Sequence, residues 1–128
     1  MPPRPALGSA DDWIRRARAN LSLAKAYQAE GILLEDLCYQ AQQAAEKALK
    51  AFYLKNGRGF PFVHTLDQLL SGLEDLGIAI PEDVDQASIL TRYAVETRYP
   101  GTYEPVGEDE YRDAIRFAEV ILSWVESY

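Results

Sequence analysis

A short run, Arg98-Tyr99-Pro100-Gly101-Thr102-Tyr103, carries the side chains best suited to recognition in this chain. Arginine and tyrosine are enriched where binding energy concentrates, and loops on a rigid scaffold commonly carry binding groups. Arg98, Tyr99 and Tyr103, with Tyr93 just ahead of them, are therefore candidates for contacts with a ligand or partner. The competing reading packs the tyrosines on the fold and pairs Arg98 with Glu96 or Glu104. A second set is cationic. Lys47, Lys50, Lys55 and Arg58, with Gln43 nearby, form either an anion-binding strip or an ordinary solvated helix face. On such a face Glu46 and Lys50 would pair at i,i+4 for a few tenths of a kcal/mol. The only histidine, His64, stands directly before Thr65, where it can meet a ligand or hydrogen-bond at a helix start. One Cys and one His support neither a disulfide framework nor a Cys/His zinc site, and no Gly-rich phosphate loop is recognisable, so the residues call for no metal and no cofactor.

These residues need elements to position them, and every periodic segment scores for a helix. Met1 to Gly8, with three prolines, reads as a flexible leader, leaving residues 9–128 as a single domain. Ser9 and Asp12 form a capping box that starts a first helix. Trp13, Ala17, Leu21 and Ala24 carry its buried stripe to about Ala29, with Gly31 as a left-handed stop and Arg15, Arg16 and Arg18 opposite. A second helix spans about Leu34 to Lys55. Cys38, Ala41, Ala44, Ala45, Ala48, Leu49 and Phe52 form one face of it, and Gln42, Gln43, Glu46, Lys47 and Lys50 form a polar strip on the other. Lys55 is placed to meet that helix's last carbonyls.

Two long helices joined by a short link pack antiparallel. Arg58 to Val63, with Gly59 and Pro61, is a loop. Thr65 and Gln68 open a third helix with Leu66, Leu69, Leu70 and Leu73 inward, ending near Gly77. Pro81-Glu82-Asp83 starts a fourth, with Val84, Ala87, Leu90 and Ala94 inward, and residues 95–107 form a long loop. The last helix opens at Glu108 and is apolar over a wide arc: beside the inner stripe from Tyr111 to Val125 lies a second one of Phe117, Val120 and Trp124. Such a surplus marks a central helix or half of an interface, and an isologous homodimer through those three residues is the expectation. The fold class is therefore all-α, an up-and-down bundle of about five helices.

Composition bounds the function. A chain of 128 residues with 48% hydrophobic content can bury one core unaided. A net charge of −7 and a pI of about 4.7 do not describe a surface built as a whole for nucleic acid, so any RNA contact is local. No apolar run reaches the ~20 residues of a membrane span, and the expected location is cytoplasmic.

Several of these pieces, in this order, resemble one family. The opening helix with spaced Ala and Arg, the Gln43-Ala-Ala-Glu-Lys-Ala-Leu-Lys-Ala51 segment, His64-Thr-Leu66, Arg98-Tyr-Pro100 and the closing helix with Ala114 and Ala118 resemble the HEPN family. These are small helical bundles often found beside minimal nucleotidyltransferases. The resemblance implies a homodimeric interaction partner of such an enzyme, in a toxin-antitoxin-like or nucleotide-binding module. Ribonuclease members carry an arginine followed, about four to six residues later, by a histidine, so that one grips a phosphate and the other shuttles protons. Here the counterpart starts at Arg98, and Tyr103 stands where the histidine is expected. A phenol with an ordinary pKa of about 10 is a poor proton shuttle at neutral pH. The chain is therefore read as lacking catalysis of its own. The alternative is a metal-independent RNA endonuclease in which Arg98 works with a divergent motif, Tyr103 included. In some members a tyrosine close after the motif histidine receives AMP from the partner enzyme, a role that the resemblance offers for Tyr103. Arg58 and His64 also satisfy the spacing, but in the loop after the second helix.

Overall fold

A computed structural model describes residues 3–27, 30–95 and 104–128. The elements are α1 (Ala10–Ala24), α2 (Leu34–Lys55), α3 (Leu66–Asp75), α4 (Glu82–Gln86), a 3-10 turn (Ala87–Thr91), α5 (Arg92–Val95) and α6 (Glu108–Glu126). Among the described residues there is no strand, and no helix is long and apolar enough to cross a membrane.

Local chemistry fixes the helix starts as the sequence announces. The Ser9 hydroxyl accepts the Asp12 N–H at 3.2 Å, and the Asp12 carboxylate accepts the Gly8 N–H at 3.0 Å, which ties the residues before α1 to its first turn. That backbone donor, with the Arg15 and Arg16 guanidiniums, holds the Asp12 carboxyl down at about 2. Thr65 caps α3 in the same way, accepting the Gln68 N–H at 3.3 Å. Gly57 and Gly77 stand just past α2 and α3 with φ of 71° and 87°, the left-handed stop that a Cβ would penalise.

Contacts set the topology. Trp13 lies beside Lys50 and Asn20 beside Gln40, so α1 and α2 are antiparallel. Phe52 stacks on Trp124 at 4.7 Å, and Cys38 lies near Glu110 at the other end, so α2 and α6 run in the same direction. The chain reverses between them through α3, α4, the 3-10 turn and α5. Every member of the inner face expected for α2, from Cys38 to Phe52, is fully buried.

Four local expectations are corrected. α1 stops at Ala24, five residues short of Ala29, because the Tyr111 hydroxyl of α6 takes the Ala24 carbonyl at 2.5 Å and closes the helix end by a tertiary contact. Ile14 occupies the core position assigned to Trp13, which is half-buried. Lys55 meets the carbonyls of Val125 and Tyr128, at 3.0 and 2.8 Å, so it ties α2 to the end of α6; Asn56 serves α2 by donating to Phe52 O at 2.8 Å. The fourth helix is divided by a 3-10 turn, whose three residues per turn align Ala87, Leu90 and Tyr93 along one buried line.

The largest departure concerns the polar strip of α2. Gln42, Glu46 and Lys50 are buried, at 0%, 6% and 7% exposure, although the helical period sets them away from the alanines. The cause lies outside α2: residues 56–65 run back along the helix, bringing Phe60 to Lys50 and His64 to Glu46. One close approach in this region needs a glycine. Gly72 of α3 leaves room for the Tyr53 ring, whose hydroxyl donates to Leu69 O at 2.7 Å and occupies the space a Cβ would fill.

Candidate functional site

Glu46 is the hub of the buried ridge. Its Oε2 receives Lys50 Nζ at 3.0 Å and lies 3.4 Å from His64 Nδ1, while its Oε1 accepts Gln42 Nε2 at 3.2 Å. Gln42 is held in turn by Gln43, whose Nε2 donates to its Oε1 at 2.8 Å. Lys50 also lies 5.3 Å from the Phe60 ring and 5.8 Å from Trp13, and these two rings meet edge-on at 5.1 Å. A lysine enters this low-dielectric place because a carboxylate and two aromatic faces replace its water. Among the described residues, every buried side-chain polar atom has a partner.

The outer edge of the ridge is cationic. Lys47 Nζ donates to Asn20 Oδ1 at 2.7 Å, and Asn20 donates to Gln40 Oε1 at 2.6 Å. Partial burial, then the neighbouring charge of Arg16, lowers the Lys47 pKa. The His64 side chain is 79% exposed. An imidazole held on a carboxylate through one nitrogen keeps the other available to accept or donate a proton, which is the one acid–base arrangement on this ridge.

Of the candidates drawn from the sequence, Lys47, Lys50 and His64 thus come together, but in different roles. Lys50 is an interior ion-pair partner rather than part of an open anion strip. The Glu46 and Lys50 pair forms as expected, in the interior. Arg98, Tyr99 and Tyr103 lie outside the described residues. Beside that segment in sequence, the Tyr93 hydroxyl donates to Glu110 Oε2 at 2.6 Å. Burial pushes the Cys38 thiol up to about 12, with the Glu110 charge adding to it, and burial raises the Tyr93 phenol as well. Neither group is a ready nucleophile at neutral pH.

The expected interface residues are half-buried. Trp124 is stacked on Phe52 and meets Tyr128 edge-on, so it belongs partly to the core. Val120 and Trp124 still line an open groove of about 620 Å³ with Pro81, Val84 and Ile115, between α4 and α6. Phe117 lies on the other flank of α6, in a cleft of about 310 Å³ with Ile89 and Tyr93.

The HEPN domain model matches residues 10–128, nearly the whole chain and every element described above. The chain belongs to the HEPN family. Two solved structures share its fold. TT1696 from Thermus thermophilus is 36% identical with a TM-score of 0.78, over 92% of this chain and 96% of that one. ST0689, an archaeal HEPN homologue, is 28% identical with a TM-score of 0.74, over 94% of this chain and 98% of that one. No curated protein matches.

Sequence reasoning missed Glu46 as hub, Gln42 as its support and the Trp13–Phe60 pair over Lys50 in this HEPN domain. Two signals were present. Glu46 stands four residues before Lys50, and Phe60 and Phe62 lie in a loop where apolar residues need a reason.

Proposed function

We propose that this HEPN chain is the interaction half of a two-component, toxin-antitoxin-like module. It acts in the cytoplasm as a homodimer that binds a separately encoded minimal nucleotidyltransferase and does not cleave RNA itself. The carrying observation is the placement of the single histidine. His64 is engaged with Glu46 at the start of α3, whereas the position five residues after Arg98 is Tyr103. An RNA-cleaving site of the HEPN kind needs a proton carrier beside its phosphate-gripping arginine. The half-buried Val120 and Trp124 beside an open groove support the homodimer, and Arg98, Tyr99 and Tyr103 remain the residues proposed to meet a partner or a nucleotide.

One observation favours a second reading, a metal-independent RNA endonuclease. The exposed His64 with a carboxylate 3.4 Å from Nδ1 is a serviceable proton carrier. The two readings separate in one experiment. Wild type, Arg98→Ala and His64→Ala are incubated with RNA; the binding reading expects no cleavage from any of them. Cleavage by wild type that is lost in both variants establishes the endonuclease. Titration with the nucleotidyltransferase encoded beside this chain should show binding that Arg98→Ala weakens.

A further inference from the structure

The contacts of the buried ridge converge on one solvent-facing group, the His64 imidazole. Gln43 holds Gln42, and Gln42 Nε2 donates both to Glu46 Oε1 at 3.2 Å and to the His64 carbonyl at 3.5 Å. Lys50 Nζ fixes Glu46 Oε2 at 3.0 Å, and His64 Nδ1 lies 3.4 Å from that same oxygen. The backbone after the ring is fixed as well: Thr65 caps α3, and the Leu66 N–H donates to Thr91 Oγ1 at 2.9 Å. Burying such a set costs free energy that apolar residues of the same size would not. All of it bears on the placement of a single ring.

A carboxylate accepts from Nδ1–H, and in the neutral ring that leaves the lone pair on Nε2. The His64 side chain is 79% exposed, so this nitrogen can meet a reagent from solution. It could serve as a metal ligand, a proton carrier or a nucleophile. A metal needs further ligands, and among the described residues no group of three His, Cys, Asp or Glu side chains could hold an ion. Proton carriage needs a second group that grips the reacting phosphate. A nucleophile needs only an open nitrogen and a partner that orients the ring, and both are in place. The charge at this edge selects the reagent. Lys47, next to Glu46 in α2, lies close enough to Arg16 to feel its charge, which favours an anionic electrophile. Of the anionic groups an imidazole can accept, a phosphoryl group gives an N–P bond that persists at neutral pH, whereas acyl adducts hydrolyse.

We propose that His64 Nε2 is a phosphoryl acceptor, with Glu46 as its positioning residue, and that the donor is a small anion of the phosphoramidate or acyl phosphate class. With phosphoramidate, the Nε2 lone pair forms the N–P bond while the P–N bond of the reagent breaks, and ammonia departs with that electron pair. The Nδ1 hydrogen stays on the ring, and the Glu46 carboxylate faces the positive charge that the ring gains. The inference goes beyond the partner reading and does not depend on it. A phosphoryl group on Nε2 would also block the nitrogen on which the endonuclease reading relies.

The single histidine makes the test unambiguous. The full chain, its His64→Gln and Glu46→Gln variants, and a peptide of residues 60–68 are incubated with potassium phosphoramidate at neutral pH. Phosphorus NMR follows the rate and, from its coupling to the ring protons, tells an Nε2 adduct from an Nδ1 adduct. Wild type should form one acid-labile adduct on Nε2, at least about tenfold faster than the peptide, which is the lower end of what an orienting partner contributes to a histidine elsewhere. His64→Gln should form none, and Glu46→Gln should fall to the rate of the peptide. No adduct on wild type, an Nδ1 adduct, or a wild-type rate equal to that of the peptide overturns the proposal. So does an undiminished rate in Glu46→Gln. Circular dichroism checks that this variant folds, and if it does not, the comparison of wild type with the peptide decides alone.

Discussion

The alanine-rich seam of α2, with Ala41, Ala44, Ala45 and Ala48 fully buried, and the ridge of Gln42, Glu46 and Lys50 on the same helix are both closed to water, yet different forces keep them closed. Small side chains on the seam let neighbouring helices approach closely, and the stability comes from removing apolar surface from solvent. On the ridge, burial costs free energy unless each polar atom finds a partner, so every group there is committed to another. The seam would tolerate many apolar repackings that conserve volume. The ridge works only as a complete set. A helix can thus be central to a bundle while half its surface reads as polar, provided that a neighbouring loop brings the matching groups.

The comparison is broken most sharply at Lys50. Lys50→Met leaves the Glu46 carboxylate buried without its cation and should cost about 3 kcal/mol, read from urea unfolding, whereas Glu46→Leu with Lys50→Met should recover most of that loss. A Lys50→Met variant as stable as wild type would show that the pair does not hold the ridge. On the seam, Ala45→Leu should overpack the core by about 1–3 kcal/mol and lower Tm accordingly. An unchanged Tm would mean that the helices can part without cost.

Asp12 sharpens the contrast, because it is a buried polar group that the sequence does announce through its capping box. Its carboxyl lies at about 2 in the fold, below its ordinary 3.8. A depressed carboxyl contributes stability in full above its unfolded pKa and loses it as pH falls through the folded one. The contribution should therefore vanish between about pH 4 and about pH 2 in wild type, and Asp12→Asn should lack that component in acid titrations followed by circular dichroism. The smallest effect is expected at Phe62, where replacement by Ala should change stability by less than about 0.5 kcal/mol, because the side chain is almost wholly exposed and meets only the edge of the Phe60 ring, at 6.2 Å. A larger loss in thermal melts would place Phe62 in the packing of the loop.

What this sequence determined alone is whatever depends on neighbours a few residues away. The inner face of α2 follows from the 3.6-residue period, and the starts of α1 and α3 follow from Ser9 with Asp12 and Thr65 with Gln68, since a capping side chain reaches only its own first turn. The HEPN resemblance is legible for a related reason, because it rests on short motifs in fixed order. The tertiary structure decided whatever depends on residues far apart in the chain. α1 ends at Ala24 because Tyr111 arrives from α6, and Lys55 serves Val125 and Tyr128 because α2 and α6 lie side by side. Gln42, Glu46 and Lys50 of the polar strip are interior because Trp13 and residues 56–65 close over them. Periodicity reports which side of a helix is apolar, but whether its polar side meets water is set by what the rest of the chain lays against it.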